Sequence, residues 1–346
     1  MAKSQHNGSS PAVPMDDDFQ RCRHARYAED HVVYHITFRT VQGFHLLKPD
    51  EQGELSRIIA GVLDRARKTY DGVKNHATNV LSNHVHLELS GIARQLAPYI
   101  GFFKRVFKRE VSRRWGPRIG WRGIFEPGYQ SSAVITPAAK RRCLKYILAQ
   151  GVKENLVERP GDWPGFSCAS ALVSGRPVEG YWFNGTAHGR ALQRAKRKKQ
   201  PSEVRREDYR EESNATFDPL PAMAHLSPSE YQAEMAKIVA EVEVEARQKR
   251  QGKPVLGVAA VLRGDIMQRS ELPRPPWFEE RRRMIVWDDP GAPEVRAYRD
   301  RYWRFQREFR AAADRWRDGD REVEFPPGAY WPGRASPVPH PKRLAA

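Results

Sequence analysis

The sequence predicts an α+β fold in its first half, followed by a largely helical extension. Three observations carry this. Between residues 31 and 135, short alternating segments rich in β-branched and aromatic residues interleave with two long stretches of helical periodicity. The stretch Ser82-Asn83-His84-Val85-His86-Leu87-Glu88-Leu89 alternates His84, His86 and Glu88 with Val85, Leu87 and Leu89. That is the pattern of a strand with one face in a core. Beyond residue 227 the chain turns to long amphipathic stretches with helix-start signals.

The elements follow in order. His31 to Arg39 alternates aromatic and β-branched residues with polar ones and is a first strand. Asp50 to Tyr70 places Leu55, Ile58, Ile59, Val62, Leu63 and Ala66 at helical spacing. Val73 to Leu81 and Asn83 to Leu89 are strands separated by a tight reversal or a bulge. A second helix runs from about Ile92 to Trp115, with Tyr99, Phe102, Phe103, Val106 and Phe107 as its apolar stripe. Ile124 to Ile135 reads as a fourth strand. Thr136-Pro137 then supplies an N-cap and a proline at the first helical position, opening a helix to about Glu154. The order β-α-β-β-α-β-α is a split β-α-β, ferredoxin-like plan with one added helix. It puts the histidine strand in the middle of an antiparallel sheet, with helices on one face and the opposite face, or its edge, left for a ligand.

Residues 1–25 read as a disordered N-terminus, 26–175 as the domain built on this sheet, and 176–226 as linker. Residues 227–332 read as a helical C-terminal extension and 333–346 as a disordered tail. In the extension, Ser227-Pro228-Ser229-Glu230 is a capping box that opens a helix to about Gln251. A short apolar segment, Val255 to Leu262, follows it. A third helix spans 293–317 and carries the stripe Val295, Tyr298, Tyr302, Phe305, Phe309 and Trp316, suited to docking on the first domain or on a second chain.

Composition narrows the partners. The 346 residues carry a formal net charge of +17, which points to a polyanion. Residues 92–150 alone hold thirteen Lys and Arg against Glu110 and Glu126. Lys104, Arg105, Lys108, Arg109, Arg113, Arg114 and Arg142 are the expected phosphate contacts, with a plain solvated surface as the alternative for the helix face, and the run Arg194 to Lys199 suits non-specific phosphate contact or plain solvation. No stretch approaches the roughly 18 apolar residues of a membrane helix, and the N-terminus lacks a secretory h-region. Cys22, Cys143 and Cys168 form no Cys-x-x-Cys. A reducing cytoplasm is the expected location.

Two features bear chemistry. His84 and His86 lie about 7 Å apart along a strand and on one face, so their imidazoles can close on one divalent ion. The alternative is a solvent-facing strand that carries histidines. Sixty residues on, Tyr146 and Gln150 sit one turn apart on a helix, about 5–6 Å between Cβ atoms. A phenol can attack phosphorus where a cation polarises the phosphate, and an amide oxygen one turn away can complete that cation's coordination. The alternative is a half-buried core tyrosine beside a surface glutamine.

Together these residues resemble the HUH endonuclease superfamily, and more narrowly its single-tyrosine transposases of insertion-sequence and REP-associated type. The likeness rests on Tyr34-His35-Ile36-Thr37-Phe38-Arg39, Asn83-His84-Val85-His86, Ile124 to Tyr129, Tyr146-Ile147, Val152 to Val157, and Asp162-Trp163-Pro164-Gly165-Phe166-Ser167. It covers roughly residues 25–175. Leu81-Ser82 stands where the family usually has Met-Pro, and Gln150-Gly151-Val152-Lys153 where REP-associated members have Asn-Pro-Val-Lys. The resemblance implies that Tyr146 is the nucleophile and that His84, His86 and Gln150 hold Mg²⁺ or Mn²⁺. The implied reaction nicks and rejoins single-stranded DNA, carried as a hairpin or palindrome, through a 5′-phosphotyrosine link; a homodimer is possible. Ligand softness alone favours Zn²⁺ or Mn²⁺ over Mg²⁺. Glu88 is a fourth ligand, a proton acceptor or a spectator. Two other readings share the fold: a catalytically silent DNA-binding protein, and an HUH replication initiator or relaxase.

Overall fold

The computed structural model describes residues 25–119, 123–200, 203–269 and 285–329. The expected disorder up to residue 24 and over 333–346 falls outside these residues, as do Cys22 and Arg122. The chain divides into two compact units. One is residues 28–299, and the other joins the N-terminal residues up to Tyr27 with residues 300–346.

In the larger unit a four-stranded antiparallel sheet has the order β2-β3-β1-β4. Its strands are β1 (Val33–Arg39), β2 (Val73–Val80), β3 (His84–Gly91) and β4 (Gln130–Val134). Helix α1 (Glu54–Thr69) connects β1 to β2, and α2 (Ala93–Ile119) connects β3 to β4. This is the ferredoxin-like plan that the pattern predicts. The fourth strand is shorter than expected, because Pro127 has no N–H to give a ladder and Gly128 sits at φ +75°. Phe125 makes only an isolated bridge to Thr40.

Register fixes the two faces. Tyr34, Ile36 and Phe38 oppose Leu89, Leu87 and Val85, while His35, Thr37 and Arg39 oppose Glu88, His86 and His84. The apolar set faces α1 and α2, with Phe38 against Phe103 of α2 at 6.1 Å between ring centroids. Burying Phe103, Phe107, Leu87 and Leu89 on this side is worth about 2–3 kcal/mol for each side chain.

The histidine face is covered as well. Helix α3 (Pro137–Leu148) lies across it, and its capping is as expected, with Thr136 Oγ1 accepting from the Ala139 N–H at 3.2 Å. Asn79, opposite His86 on β2, donates to the Ile147 carbonyl of α3 at 2.9 Å and pins the helix to the sheet. A short turn, α4 (Gln150–Lys153), continues from α3. Leu144, Ile147 and Leu148 of α3 pack in one core with Met235, Ile238 and Val242 of a later helix, α7 (Pro228–Arg250). Trp163 joins that core and donates its indole N–H to the Val80 carbonyl at 2.9 Å. Residues 166–168 bond along β2. At the other edge Ile285 and Trp287 bond to Ala133 of β4. Both sheet edges are thus covered.

The stretch 176–226, read from sequence as linker, carries structure. Strand β5 (Tyr181–Phe183) pairs with β6 (Arg210–Glu212), and α6 (Gly185–Arg197) lies between them; α5 (Ala169–Ser174) precedes the pair. Here β5 lies on α1 at backbone distance: a Cβ on Gly61 would stand 1.8 Å from the Tyr181 carbonyl oxygen. Replacing Gly61 by alanine is therefore expected to cost about 2–3 kcal/mol, the scale of an overpacked core. Urea denaturation would register it, and a cost below 0.5 kcal/mol would show that the packing of β5 on α1 is loose.

In the extension, α8 (Val258–Arg263) and α9 (Pro293–Arg317) complete the described helices. Within the larger unit Tyr298 is buried and its hydroxyl lies 3.3 Å from that of Tyr34. Within the smaller unit Tyr27 packs on Tyr302 and Phe305, and Ala312, Trp316 and Val323 form a separate small core. No helix among the described residues is long and apolar enough to cross a membrane.

Candidate functional site

The histidine strand, α3 and α4 bring His84, His86, Tyr146 and Gln150 together in a single copy of the chain. The Tyr146 ring stands edge-on to His86, with centroids 5.6 Å apart. His84 and His86 are themselves edge-on at 4.8 Å.

Each of the three candidate ligands has one polar atom tied and one to spare. His84 Nδ1 lies 2.6 Å from Asn83 Oδ1, an acceptor, so it carries the proton and Nε2 keeps a lone pair. Gln150 donates through Nε2 to the Tyr146 carbonyl at 2.8 Å, leaving Oε1 as an acceptor. His86 Nδ1 lies 3.0 Å from His35 Nε2, and His86 Nε2 is buried with no hydrogen-bond partner. A buried polar atom without a partner is rare and asks for a ligand.

Among the described residues no three His, Cys, Asp or Glu side chains gather as a metal site. The set here is two imidazoles and an amide. It fits a divalent cation in donor number and in its free Nε2, and it brings no negative charge. The remaining coordination positions suit water and phosphate oxygens. Burial lowers His84 and His35 to about 4 and takes His86 well below its ordinary value. All three are neutral near pH 7, the form a metal requires.

Glu88 shares the histidine face without joining the site. It is fully buried beside Cys143, and no N–H or O–H donor reaches its oxygens. Burial pushes its carboxyl up to about 8, against smaller downward pulls from the Cys143 thiol and the Lys140 charge. It is therefore uncharged at neutral pH and offers no carboxylate.

The expected phosphate contacts fall in different places. Lys104, Arg105, Lys108, Arg109, Arg113 and Arg114 are on α2, across the sheet from the histidines. Four of them are engaged within the fold. Lys104 donates to the carbonyls of Glu126 and Gly128. Arg109 and Arg113 pair with Glu110, and Arg114 with Asp50. Arg105 lies over Phe102, and Lys108 is exposed. Arg142 is exposed on α3, while its neighbours Arg141 and Lys145 pair with Glu234, Glu241 and Glu245 of α7.

Four residues at the site were not singled out as site residues from sequence. Lys153 lies over the Tyr146 ring at 4.5 Å, with Nζ 3.4 Å from the phenolic oxygen. Its seven-residue spacing from Tyr146, two helical turns, could have flagged it. Arg39 opposes His84 in register and pairs with Glu126 at 2.7 Å. His35 and Trp287 pack on the Tyr146 ring at 5.8 and 5.6 Å. Trp287 is held by the β4 edge and by Asp288, which accepts from Ile135 N–H and the Thr136 hydroxyl, both at 2.6 Å. No local pattern marks that contact.

An α+β sheet carrying paired histidines under a helical tyrosine is thus the class of site defined here. No protein-family model matches the chain, and no curated protein matches it. Among solved structures the chain is similar to a REP-associated tyrosine transposase bound to a REP hairpin. That match has 18% identity and a TM-score of 0.33, over 44% of this chain and 86% of that one. It is also similar to a candidate transposase from Deinococcus radiodurans R1, at 19% identity and a TM-score of 0.26, over 37% of this chain and 98% of that one.

Proposed function

We propose that this chain is a transposase-type enzyme that nicks and rejoins single-stranded DNA through a 5′-phosphotyrosine intermediate, assisted by Mg²⁺ or Mn²⁺. The observation that carries the reading is the partnerless, buried Nε2 of His86, gathered with His84 and Gln150 beneath the ring of Tyr146. A divalent ion bound there would polarise the scissile phosphate and neutralise charge on its oxygens. His84 Nε2, His86 Nε2 and Gln150 Oε1 would hold it.

Tyr146 Oη attacks phosphorus, forming the P–O bond to tyrosine as the P–O3′ bond breaks. The phenol gives up its proton and the departing 3′ oxygen gains one, so protons balance. Lys153, beside the phenolic oxygen, favours the phenolate that develops on the way. His35, edge-on to the ring, and Trp287, tilted at 54° to it, pack against Tyr146, which restricts its rotation before attack. The linkage keeps the energy of the phosphodiester, so a second 3′-hydroxyl can attack it and restore Tyr146. Arg39, opposite His84 in register, and Arg142, exposed on α3, are further cations for the strand. Arg194, Lys196, Arg197, Lys198 and Lys199 at the end of α6 are exposed and make no ion pair among the described residues; they suit the phosphates of a longer substrate.

Incubation with labelled single-stranded oligonucleotides from the flanks of its own gene, in Mn²⁺ or Mg²⁺, tests this. A covalent protein–DNA adduct is expected, and Tyr146→Phe should abolish it while leaving DNA affinity within about threefold. Strand cleavage that persists undiminished in Tyr146→Phe would show that another group attacks phosphorus.

A further inference from the structure

We infer that His35 is a positioning residue that fixes the proton of His86 on Nδ1, so that His86 presents a bare Nε2 to the metal. This rests on the metal-site reading above. The two rings lie 3.0 Å apart from His35 Nε2 to His86 Nδ1, and their planes are parallel to within 3°. Both side chains are buried, at 5% and 4% exposure.

One proton lies between these nitrogens, and there are two ways to place it on neutral rings. If it belongs to His35, His86 must carry its own proton on Nε2. That would bury an N–H with no acceptor and leave no lone pair for a metal. If it belongs to His86, then Nε2 is a lone pair and His35 carries its own proton on Nδ1. Orphaned buried N–H groups are rarer than under-used acceptors, so the second arrangement is favoured even before a metal arrives. It is also the arrangement in which the far ring nitrogen of a metal ligand donates to an acceptor, which sets ligand orientation and basicity.

The strand supplies the acceptor. His35 is on central strand β1, directly opposite Glu88 and diagonal to His86. Its ring is held edge-on by Tyr146 at 5.8 Å and Trp287 at 6.2 Å. A neutral acceptor here also adds no negative charge beneath a site that must receive phosphate.

The test uses the full chain, labelled with ¹⁵N-histidine, and two variants. Long-range proton–nitrogen spectra of the metal-free protein should show His86 in the Nδ1–H form. His35→Gln places an amide oxygen near the lost Nε2, whereas His35→Leu offers no acceptor. By calorimetry His35→Leu should bind Mn²⁺ about 10- to 100-fold more weakly, the usual cost of losing such a partner. His35→Gln should stay within about threefold of the parent. An Nε2–H form of His86 in the parent protein, or equal affinities for the Leu variant and the parent, would overturn the assignment. The spectra also decide it if His35→Leu fails to fold. Should the parent bind no Mn²⁺ at all, the metal reading falls, while the position of the proton is still decided by the spectra.

Discussion

Replacing His86 by alanine is expected to lower adduct formation in saturating Mn²⁺ by about a thousandfold or more. The reason is the poverty of the ligand set. With His86 gone, one imidazole and one neutral amide remain, and neither carries charge to hold a hard cation. A bound ion supplies several kcal/mol to the charged transition state, and about 4 kcal/mol is a thousandfold in rate. The fold should survive. The substitution opens a small cavity and strips His35 Nε2 of its hydrogen bond, which together cost about 1–3 kcal/mol. Affinity for the uncleaved oligonucleotide should change by less than about fivefold. Adduct formation in His86→Ala within tenfold of the parent would mean that the ion, if one acts, is held elsewhere.

Much of this site was legible because it depends on short-range periodicity. His84 and His86 share a face by strand alternation, and Tyr146 and Gln150 share one by helical repeat. The α3 cap at Thr136-Pro137 and the α7 capping box at Ser227 are equally local signals. What escaped was long-range. The pairing of His35 with His86 joins residues 51 apart and follows only from the register of β1 with β3. Trp287 reaches Tyr146 because one bridge at the β4 edge and the Asp288 carboxylate happen to place it there. The β5–β6 pair was hidden because its second strand, Arg210-Glu211-Glu212, is wholly charged and exposed. It is fixed instead by close packing of β5 on Gly61. The ferredoxin-like plan left the histidine face, or its edge, available for a ligand, without showing how far a further helix would close it. Helix α3 lies across that face and buries Glu88 completely.

That buried carboxyl makes the strongest stability prediction. A carboxyl raised from 4.5 to about 8 on folding holds its proton in the native state longer than in the unfolded chain. Its contribution is complete below about pH 4.5 and is lost as pH rises through 8, because the unfolded state then ionises freely and the folded state cannot. The full loss is roughly 5 kcal/mol, from about 1.36 kcal/mol for each pH unit of displacement. The histidines act in the opposite sense. His35 and His84, lowered to about 4, contribute stability above about pH 6.5 that is lost as pH falls towards 4. The parent protein should therefore be most stable between these limits, with a falling alkaline limb that belongs to Glu88. Glu88→Gln removes the ionisation while keeping the shape, at a cost of about 1–3 kcal/mol for the buried amide hydrogens. Urea denaturation from pH 5 to 8.5 should show the variant less stable than the parent at pH 5 and more stable, by roughly 2–4 kcal/mol, at pH 8.5. Mn²⁺ affinity should be unchanged within about threefold, since a protonated carboxyl is no ligand. An alkaline limb as steep in Glu88→Gln as in the parent would place the ionising group elsewhere, with the Cys143 thiol and Lys140 ammonium packed near it as the next to replace.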